Sequence, residues 1–310
     1  MTFNTRQLHV ARAIQLLRPF IKTQRYNSFL QVILQRTKAV KIVLENIQDP
    51  LNGSACLRTG DGYGLQYFDL IESVDNFKIH LGDKPYLGAA TGVDKWVTLS
   101  HYKTAKFCLE DLKKENYVVL GSSLTDRSQL LTEVIKDLRI KQAKSLPTAS
   151  DPMPLFEVPL PKLALVFGNE HRGISKVFQK YCDYIFKIPM YGFSQSFNIN
   201  ATVAMSLATL EQHSVMRKLG YKSPFLNKLS RDMSISHCSK ATSSSNPNSI
   251  EPSSLAVEPT SFWPKDYNPN HLNHPLSLTE RNELLLKWLF RTTPYSESLW
   301  AQNGINLDFL

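Results

Sequence analysis

Acidic residues are missing from the start of this chain: no Asp or Glu occurs before Glu45. The same stretch holds Arg6, Arg12, Arg18, Lys22, Arg25, Arg36, Lys38 and Lys41, eight cations that nearly account for the formal net charge of +9. A basic, acid-free arm suits a polyanion such as RNA. It equally suits a solvated helix face with no partner, or an Arg-rich presequence for a mitochondrion or plastid. Composition alone does not choose among the three. Cysteine is scarce as well. Cys56, Cys108, Cys182 and Cys238 lie far apart, with no C-x-x-C pair and no Cys/His cluster at metal-ligand spacing. That pattern argues for free thiols in a reducing compartment, against structural zinc, and for no metal. Long apolar runs are absent too. None approaches the roughly twenty residues that span a bilayer, and the N-terminus lacks the continuous apolar core of a secretory signal. The expectation is a soluble, cytoplasmic protein with no membrane partner, a mitochondrial or plastid location being the alternative. Hydrophobic residues make up 42% of 310 positions, enough for one large domain with appendages.

Apolar residues at Ala11, Ile14, Leu17, Phe20 and Ile21 recur at helical spacing and predict helix over 8–38, interrupted at Pro19. Phe29, Leu30, Ile33 and Leu34 add a second apolar stripe. Ile42–Leu44 reads as a buried strand, followed by strands at Tyr67–Ile71, Tyr117–Leu120, Leu163–Phe167 and Tyr184–Ile188. Helices are expected at Thr104–Lys114, Ser128–Lys141 and Asn200–Lys218. Strands alternating with helices predict an α/β fold with a parallel sheet. Residues 233–261 are rich in Ser, Thr, Pro and Asn and read as a disordered linker. Beyond it, Leu284, Leu285, Trp288 and Leu289 form one apolar face of a helix docked on the core or on a partner subunit. The division that results is a basic helical arm at 1–40, an α/β domain at 41–222, a Ser/Pro-rich linker at 223–275 and a C-terminal helical segment at 276–310.

Ligands of open α/β sheets bind outside the carboxyl ends of the strands, which singles out three loops. In Asp49–Arg58, Asn52 has the side chain to cap the following helix, and Arg58 lies beyond its first turn. Such an arginine also suits a plain surface ion pair. In Leu165–Ser175 the strand ends in Gly168, where a ligand can approach the backbone closely. Asn169, Glu170, His171 and Arg172 supply polar groups. The loop is not a Walker A motif, because the Gly-Lys-Ser/Thr ending is absent, and an ordinary strand-to-helix turn has the same spacing. In Ile188–Ala201 the polar Ser196 and Asn198 sit among the apolar Ile188, Met190 and Phe197. That mixture suits an adenosine-bearing ligand. The plainer reading has Ser196 and Asn198 as helix caps and Ala201, Ala204 and Ala208 as close-packing residues. No G-x-G-x-x-G turn follows the first strand, so a nicotinamide enzyme ranks last.

Taken in order, the loops resemble the three motifs of the SpoU branch of the SPOUT superfamily, the TrmH-like RNA ribose 2′-O-methyltransferases. The first motif resembles Leu44–Asn52 continuing through Arg58 to Gly64, with Leu51 where members often have His. The second is similar to Phe167–Gly173, and the third to Ile188–Gly192 with Ser196–Asn198. The resemblance covers roughly residues 11–222 and resumes at 278–300. It implies a parallel-sheet SPOUT methyltransferase fold with a C-terminal trefoil knot, a rare exception to unknotted topology, plus N- and C-terminal helices and an active homodimer. It implies S-adenosylmethionine bound against Leu120, Gly121, Gly168, Asn169, Ile188, Met190 and Phe197. Ser196 and Asn198 would shape the catalytic floor, supported by Asn52 and Glu170, and Arg58 would be the catalytic arginine. A guanidinium keeps its proton to above ~12 and is a poor base. The expected role of Arg58 is therefore electrostatic: holding a phosphate and stabilising the developing 2′-alkoxide.

The implied partner is RNA. Only the first forty residues precede the first strand, too few for the separate RNA-binding domain of ribosomal RNA relatives. The basic arm resembles the tRNA-modifying branch, in which N- and C-terminal helices grip tRNA and a D-loop guanosine is the best-known target. Arg25, Arg36 and Arg58 are the RNA contacts this implies. Ribosomal RNA methylation and a non-catalytic RNA-binding role are the alternatives, and the Ser-rich linker departs from the compact family pattern.

Overall fold

Residues 3–73, 92–146, 153–216, 258–264, 272–294 and 296–298 are described in the computed structural model of the chain. Helix α1 (Thr5–Leu17) opens on a reciprocal cap. The Asn4 side chain accepts from the Gln7 N–H, and the Gln7 side chain accepts from the Asn4 N–H. Pro19 acts as its fixed φ and missing N–H dictate: a short 3-10 turn, Arg18–Phe20, separates α1 from α2 (Thr23–Ile33). There follow β1 (Val40–Glu45), α3 (Pro50–Gly62), β2 (Tyr67–Ile71), β3 (Thr98–Tyr102), α4 (Ala105–Lys114), β4 (Tyr117–Ser122) and β5 (Gln129–Leu130). The chain continues through α5 (Leu131–Ser145), β6 (Lys162–Phe167), α6 (Lys176–Tyr181), β7 (Tyr184–Lys187), α7 (Ile199–Gln212) and α8 (Leu278–Thr292).

The strands form one seven-stranded sheet in the order β3-β2-β1-β6-β4-β7-β5, with every neighbouring pair parallel. Helices on both faces explain why the central strands are mainly apolar rather than alternating, with Lys41 and Glu45 of β1 as buried exceptions. Every residue of β1 is buried. Residues of α3, α5 and α7, among them Leu57, Val134 and Leu207, pack on one face. Cys108, Leu112 and Phe178 of α4 and α6 pack on the other. Strands β3 and β5 escaped the sequence reading because they are edges. β3 is only partly buried and β5 is two residues long, so neither has an apolar run. The helix expected to reach Lys218 stops at Gln212, where Ser214 at φ 53° helps turn the chain back. Residues 217 and 218 lie outside the described residues.

A second core joins the two ends of the chain. Helices α1 and α2 pack on α8 through Ile14, Leu17, Ile33, Leu285 and Leu289. At its centre the rings of Phe29, Trp96 and Trp288 meet pairwise with centroids 5.5–5.6 Å apart. Parts of the expected linker belong to this core. Trp263 is buried and its Nε1–H donates to Asn282 Oδ1 at 2.6 Å. Asn273 donates to the carbonyls of Ser214 and Val215. Stretches 258–264 and 272–275 are therefore packed, which the Ser-rich composition concealed; the rest of 223–275 lies outside the described residues. Cys56, Cys108 and Cys182 are free thiols, and Cys238 lies outside the described residues.

Half of the basic arm is neutralised inside the fold. Arg6 pairs with Glu283 at 2.8 Å and Lys38 with Glu280 at 2.8 Å, both on α8. Lys41 lies in β1, buried, between Asp69 at 3.4 Å and Glu115 at 3.1 Å. Arg36, expected to reach RNA, is 2% exposed. It donates to Asp61 Oδ1 at 2.5 Å and to the Leu65 carbonyl at 2.9 Å, and lies over the Trp288 ring. A guanidinium so enclosed holds the arm to the sheet domain and has no access to a polyanion. Arg12, Lys22 and Arg25 do remain exposed, Arg25 over the Phe29 ring at 5.7 Å.

Trp288 links the arm, the 93–96 turn and the C-terminal helix, so its removal leaves a cavity that three elements share. Trp288→Ala is expected to cost about 3–5 kcal/mol of stability, read as a fall in the urea midpoint together with new protease cleavage within residues 3–38.

Candidate active site

Strands β1, β6, β4 and β7 deliver their carboxyl ends to one edge, and the three sequence-selected loops meet there. Between them lies a cavity of about 670 Å³, lined by Ser122, Ser123, Leu124, Phe167–Gly173, Lys187, Ile188, Met190, Gln195–Ile199 and Thr202.

The loops are tied together through the Glu170 carboxylate. Oε2 accepts the Gln48 N–H at 2.9 Å, and Oε1 accepts the Asp49 N–H at 3.4 Å and the Asn52 Nδ2–H at 3.0 Å. Asn52 Oδ1 then accepts from Asn198 Nδ2 at 2.9 Å. A second tie runs in parallel: Asn169 Nδ2 donates to the Asn46 carbonyl at 2.8 Å. Asn46 sits at φ 52°, in the left-handed region that asparagine tolerates. Burial works to raise the Glu170 carboxyl. The N–H groups of Gln48 and Asp49 and the Asn52 amide more than offset it and hold Glu170 below the usual glutamate range.

Local sequence explains these placements. Asp49, not Asn52, caps α3: its Oδ1 accepts the Leu51 N–H at 2.9 Å, and Pro50 takes the first helical position, where no N–H is required. The expected cap at Asn52 gives way to a better-placed carboxylate, which frees the Asn52 amide to bridge Glu170 and Asn198. Asn198 does cap α7, accepting the Asn200 N–H at 2.9 Å, and also reaches Asn52. The capping and site readings of Asn198 thus hold together.

Gly168 has a different reason from the one expected. A Cβ there would lie 2.1 Å from the carbonyl carbon of Gly173, so the close approach is by the chain's own backbone. Gly173 closes that turn at φ 65°, donating to the Asn169 carbonyl at 2.8 Å. Gly121 is also packed: its Cβ would meet Ile174 Cδ1 at 2.7 Å. Leu120 and Gly121 lie within β4, beneath the cavity, whose wall begins one residue later at Ser122. Gly168, Asn169, Glu170, Ile188, Met190, Ser196, Phe197 and Asn198 all line the cavity. Arg58 does not. It stands exposed on α3 and has no ion-pair partner among the described residues, so the surface-pair reading finds no acid to support it. The residues missed were Ser122, Ser123, Leu124, Lys187, Gln195 and Thr202. Ser122 and Ser123 follow an apolar strand, so the rule that chose the other loops would have found them.

The cavity falls in the usual range of small-ligand sites, about 300–1,000 Å³. Ile188, Met190 and the half-exposed Phe197 supply apolar surface, with hydroxyls and amides beside them. These residues fit S-adenosylmethionine: an apolar slot for the base and polar groups at its edges. Among the described residues no group of three or more His, Cys, Asp or Glu could hold a metal ion.

Because Glu170 is held ionised, the tie contributes stability above the ordinary glutamate range and loses it as pH falls through the depressed value. Glu170→Gln is expected to melt below the native chain at pH 7, the gap closing as pH is lowered below about 4. A gap independent of pH would contradict the assigned charge state.

The SpoU rRNA Methylase family model matches residues 39–208. Over 201 residues the chain is 30% identical to a tRNA (guanosine(18)-2′-O)-methyltransferase of Borreliella burgdorferi, covering 65% of this chain and 79% of that one. Over 177 residues it is 25% identical to the tRNA (guanosine(18)-2′-O)-methyltransferase of Thermus thermophilus, covering 57% and 76%. The crystal structure of the A. aeolicus TrmH/SpoU tRNA modifying enzyme superposes with a TM-score of 0.55 at 18% identity, covering 86% of this chain and 96% of that one, a likeness of fold. With the parallel sheet, the three joined loops and this family match together, the chain belongs to the SpoU rRNA Methylase family and is a methyltransferase that uses S-adenosylmethionine.

Proposed function

We propose that the chain methylates a ribose 2′-hydroxyl of RNA, that the RNA is tRNA, and that the active unit is a homodimer whose sheet domain carries a C-terminal trefoil knot. The observation that carries the reading is the continuous Gln48–Glu170–Asn52–Asn198 hydrogen-bond chain around one cavity, with Arg58 on the same helix as Asn52 and without an ion-pair partner among the described residues. Support for tRNA comes from the two guanosine-18 relatives, and from Arg12, Lys22 and Arg25 left exposed on the N-terminal arm. Leu51, Tyr191 and Phe193 stand exposed beside the site, an apolar surface that a second copy would cover.

S-adenosylmethionine, when bound, supplies an electrophilic methyl group on a sulfonium. Gly168, Asn169, Ile188, Met190 and Phe197 would hold it, with Ser122 and Ser123 lining the same cavity. Asn198 is fixed by its bonds to Asn52 and to the Asn200 N–H, and can present its second Nδ2–H to the ribose without reorganising. Ser196 lines the cavity and can take the ribose hydroxyl as a hydrogen-bond partner. Glu170 stays ionised but its oxygens are engaged by three N–H groups, so it orders the loops and does not serve as the base. Arg58 acts as a cation and not as a base, as a guanidinium does. It binds a backbone phosphate and stabilises negative charge on the ribose oxygen as the bond to carbon forms. The hydroxyl proton leaves to water or to that phosphate.

The test is incubation with methyl-labelled S-adenosylmethionine and, in parallel, tRNA and ribosomal RNA fragments. Label is expected in tRNA. Label confined to ribosomal RNA would reassign the substrate. Cofactor binding without label in any RNA would favour a non-catalytic RNA-binding role. Arg58→Ala is expected to lower the transfer rate at least about 100-fold while calorimetry shows unchanged S-adenosylmethionine affinity; retained activity would refute the role of Arg58.

A further inference from the structure

Helix α3 presents two polar side chains to the first turn of α7. Asn52 takes the Asn198 amide at 2.9 Å, and the Thr59 hydroxyl donates to Asn200 Oδ1 at 2.7 Å. Asn52 and Thr59 are seven residues apart, about two turns and roughly 10 Å along the axis, so they share one face. Thr59 does not bond back to the carbonyl one turn earlier, the usual use of a mid-helix threonine. Its hydroxyl crosses instead to the residue two beyond Asn198. Just past the second tie the helix is pressed close to the sheet: a Cβ on Gly60 would lie 2.6 Å from Phe68 Cζ. Close packing at Gly60 sets the distance of α3 from β2. Cys56 and Leu57 share one buried cluster with Val203 and Leu207 of α7, and the two polar contacts lie at either end of the face that α3 turns to α7. Asn52 fixes the first turn and Thr59 the third. Arg58 immediately precedes Thr59 and is otherwise unheld by any ion pair among the described residues.

We propose that Thr59 and Asn200 are a positioning pair that fixes the direction of the Arg58 guanidinium toward the RNA. This rests on the methyl-transfer reading for the role of Arg58, but not for the pair itself. A charged group displaced by about 1 Å from a reacting centre can cost on the order of 100-fold in rate, so one hydrogen bond on the neighbouring residue is enough to matter. Thr59→Val keeps the shape and the β-branch and removes the donor; Thr59→Ser keeps the donor. Asn200→Ala removes the acceptor from the other helix.

The experiment measures methyl-transfer kinetics and RNA affinity for these variants, alone and combined with Arg58→Ala. Thr59→Val and Asn200→Ala are each expected to lower kcat about tenfold or more with KM for S-adenosylmethionine unchanged. The Thr59→Val/Asn200→Ala double variant should be no worse than either of its single variants, and Thr59→Ser should keep most of the native rate. In the Thr59→Val background, Arg58→Ala should weaken RNA binding less than it does in the native chain. Native kcat in Thr59→Val and Asn200→Ala, or an equal Arg58→Ala effect on RNA affinity in both backgrounds, would overturn the pair. If the native chain methylates no RNA, the methyl-transfer reading fails on its own, and the affinity cycle still decides whether Thr59 directs Arg58.

Discussion

A carboxylate taken partly out of water needs donors, and Glu170 finds three of them on the loop that follows β1. Two are the backbone N–H groups of Gln48 and Asp49, immediately ahead of α3. The third is Asn52, which holds Asn198 in turn. The bonds span 118 residues from Asn52 to Glu170 and 146 from Asn52 to Asn198. The parallel sheet makes such distant partners neighbours. It brings β1, β6 and β7 to one edge, so that loops from three parts of the chain face each other. Without the Glu170 carboxylate the first and second loops would keep their strands and the Asn169–Asn46 bond but lose the tie that runs through Asn52 to Asn198.

Charge elsewhere is used to join parts of the chain. The cations of the N-terminal arm satisfy acids on α8, on α3 and within the sheet, and Arg36 is closed over by Asp61, the Leu65 carbonyl and Trp288. Truncating one partner of so enclosed a pair would leave the other buried and uncompensated. The arm is thus both a structural element and, through Arg12, Lys22 and Arg25, the carrier of an exposed positive surface.

What the sequence disclosed follows from burial. Strands β1 and β6 are covered on both faces and carry the apolar runs Ile42–Leu44 and Leu163–Phe167; the edge strands β3 and β5 are less covered and leave no such trace. The three loops were legible because each follows an apolar strand and carries its polar groups at fixed offsets. Roles inside the loops were harder. Asp49 and Asn52 are both capping types, and the deciding clue was Pro50, which marks the first helical position. Arg36 and Arg25 look alike as letters, yet one is enclosed by a tertiary contact with Trp288 and the other is exposed. Gly168 was expected to admit a ligand, but what packs against it is the backbone of Gly173, and only the folded turn shows that. Trp263 and Asn273 were hidden in polar, Ser-rich surroundings, since their partners lie at Asn282 and at the end of α7.

The chemical position of the transferred methyl group tests the central claim most directly. RNA labelled by the native chain is digested with alkali, which cleaves next to every free 2′-hydroxyl and spares a methylated one. The label is expected in alkali-resistant dinucleotides from a single tRNA position. Label released in mononucleotides, as a methylated base would give, would contradict it.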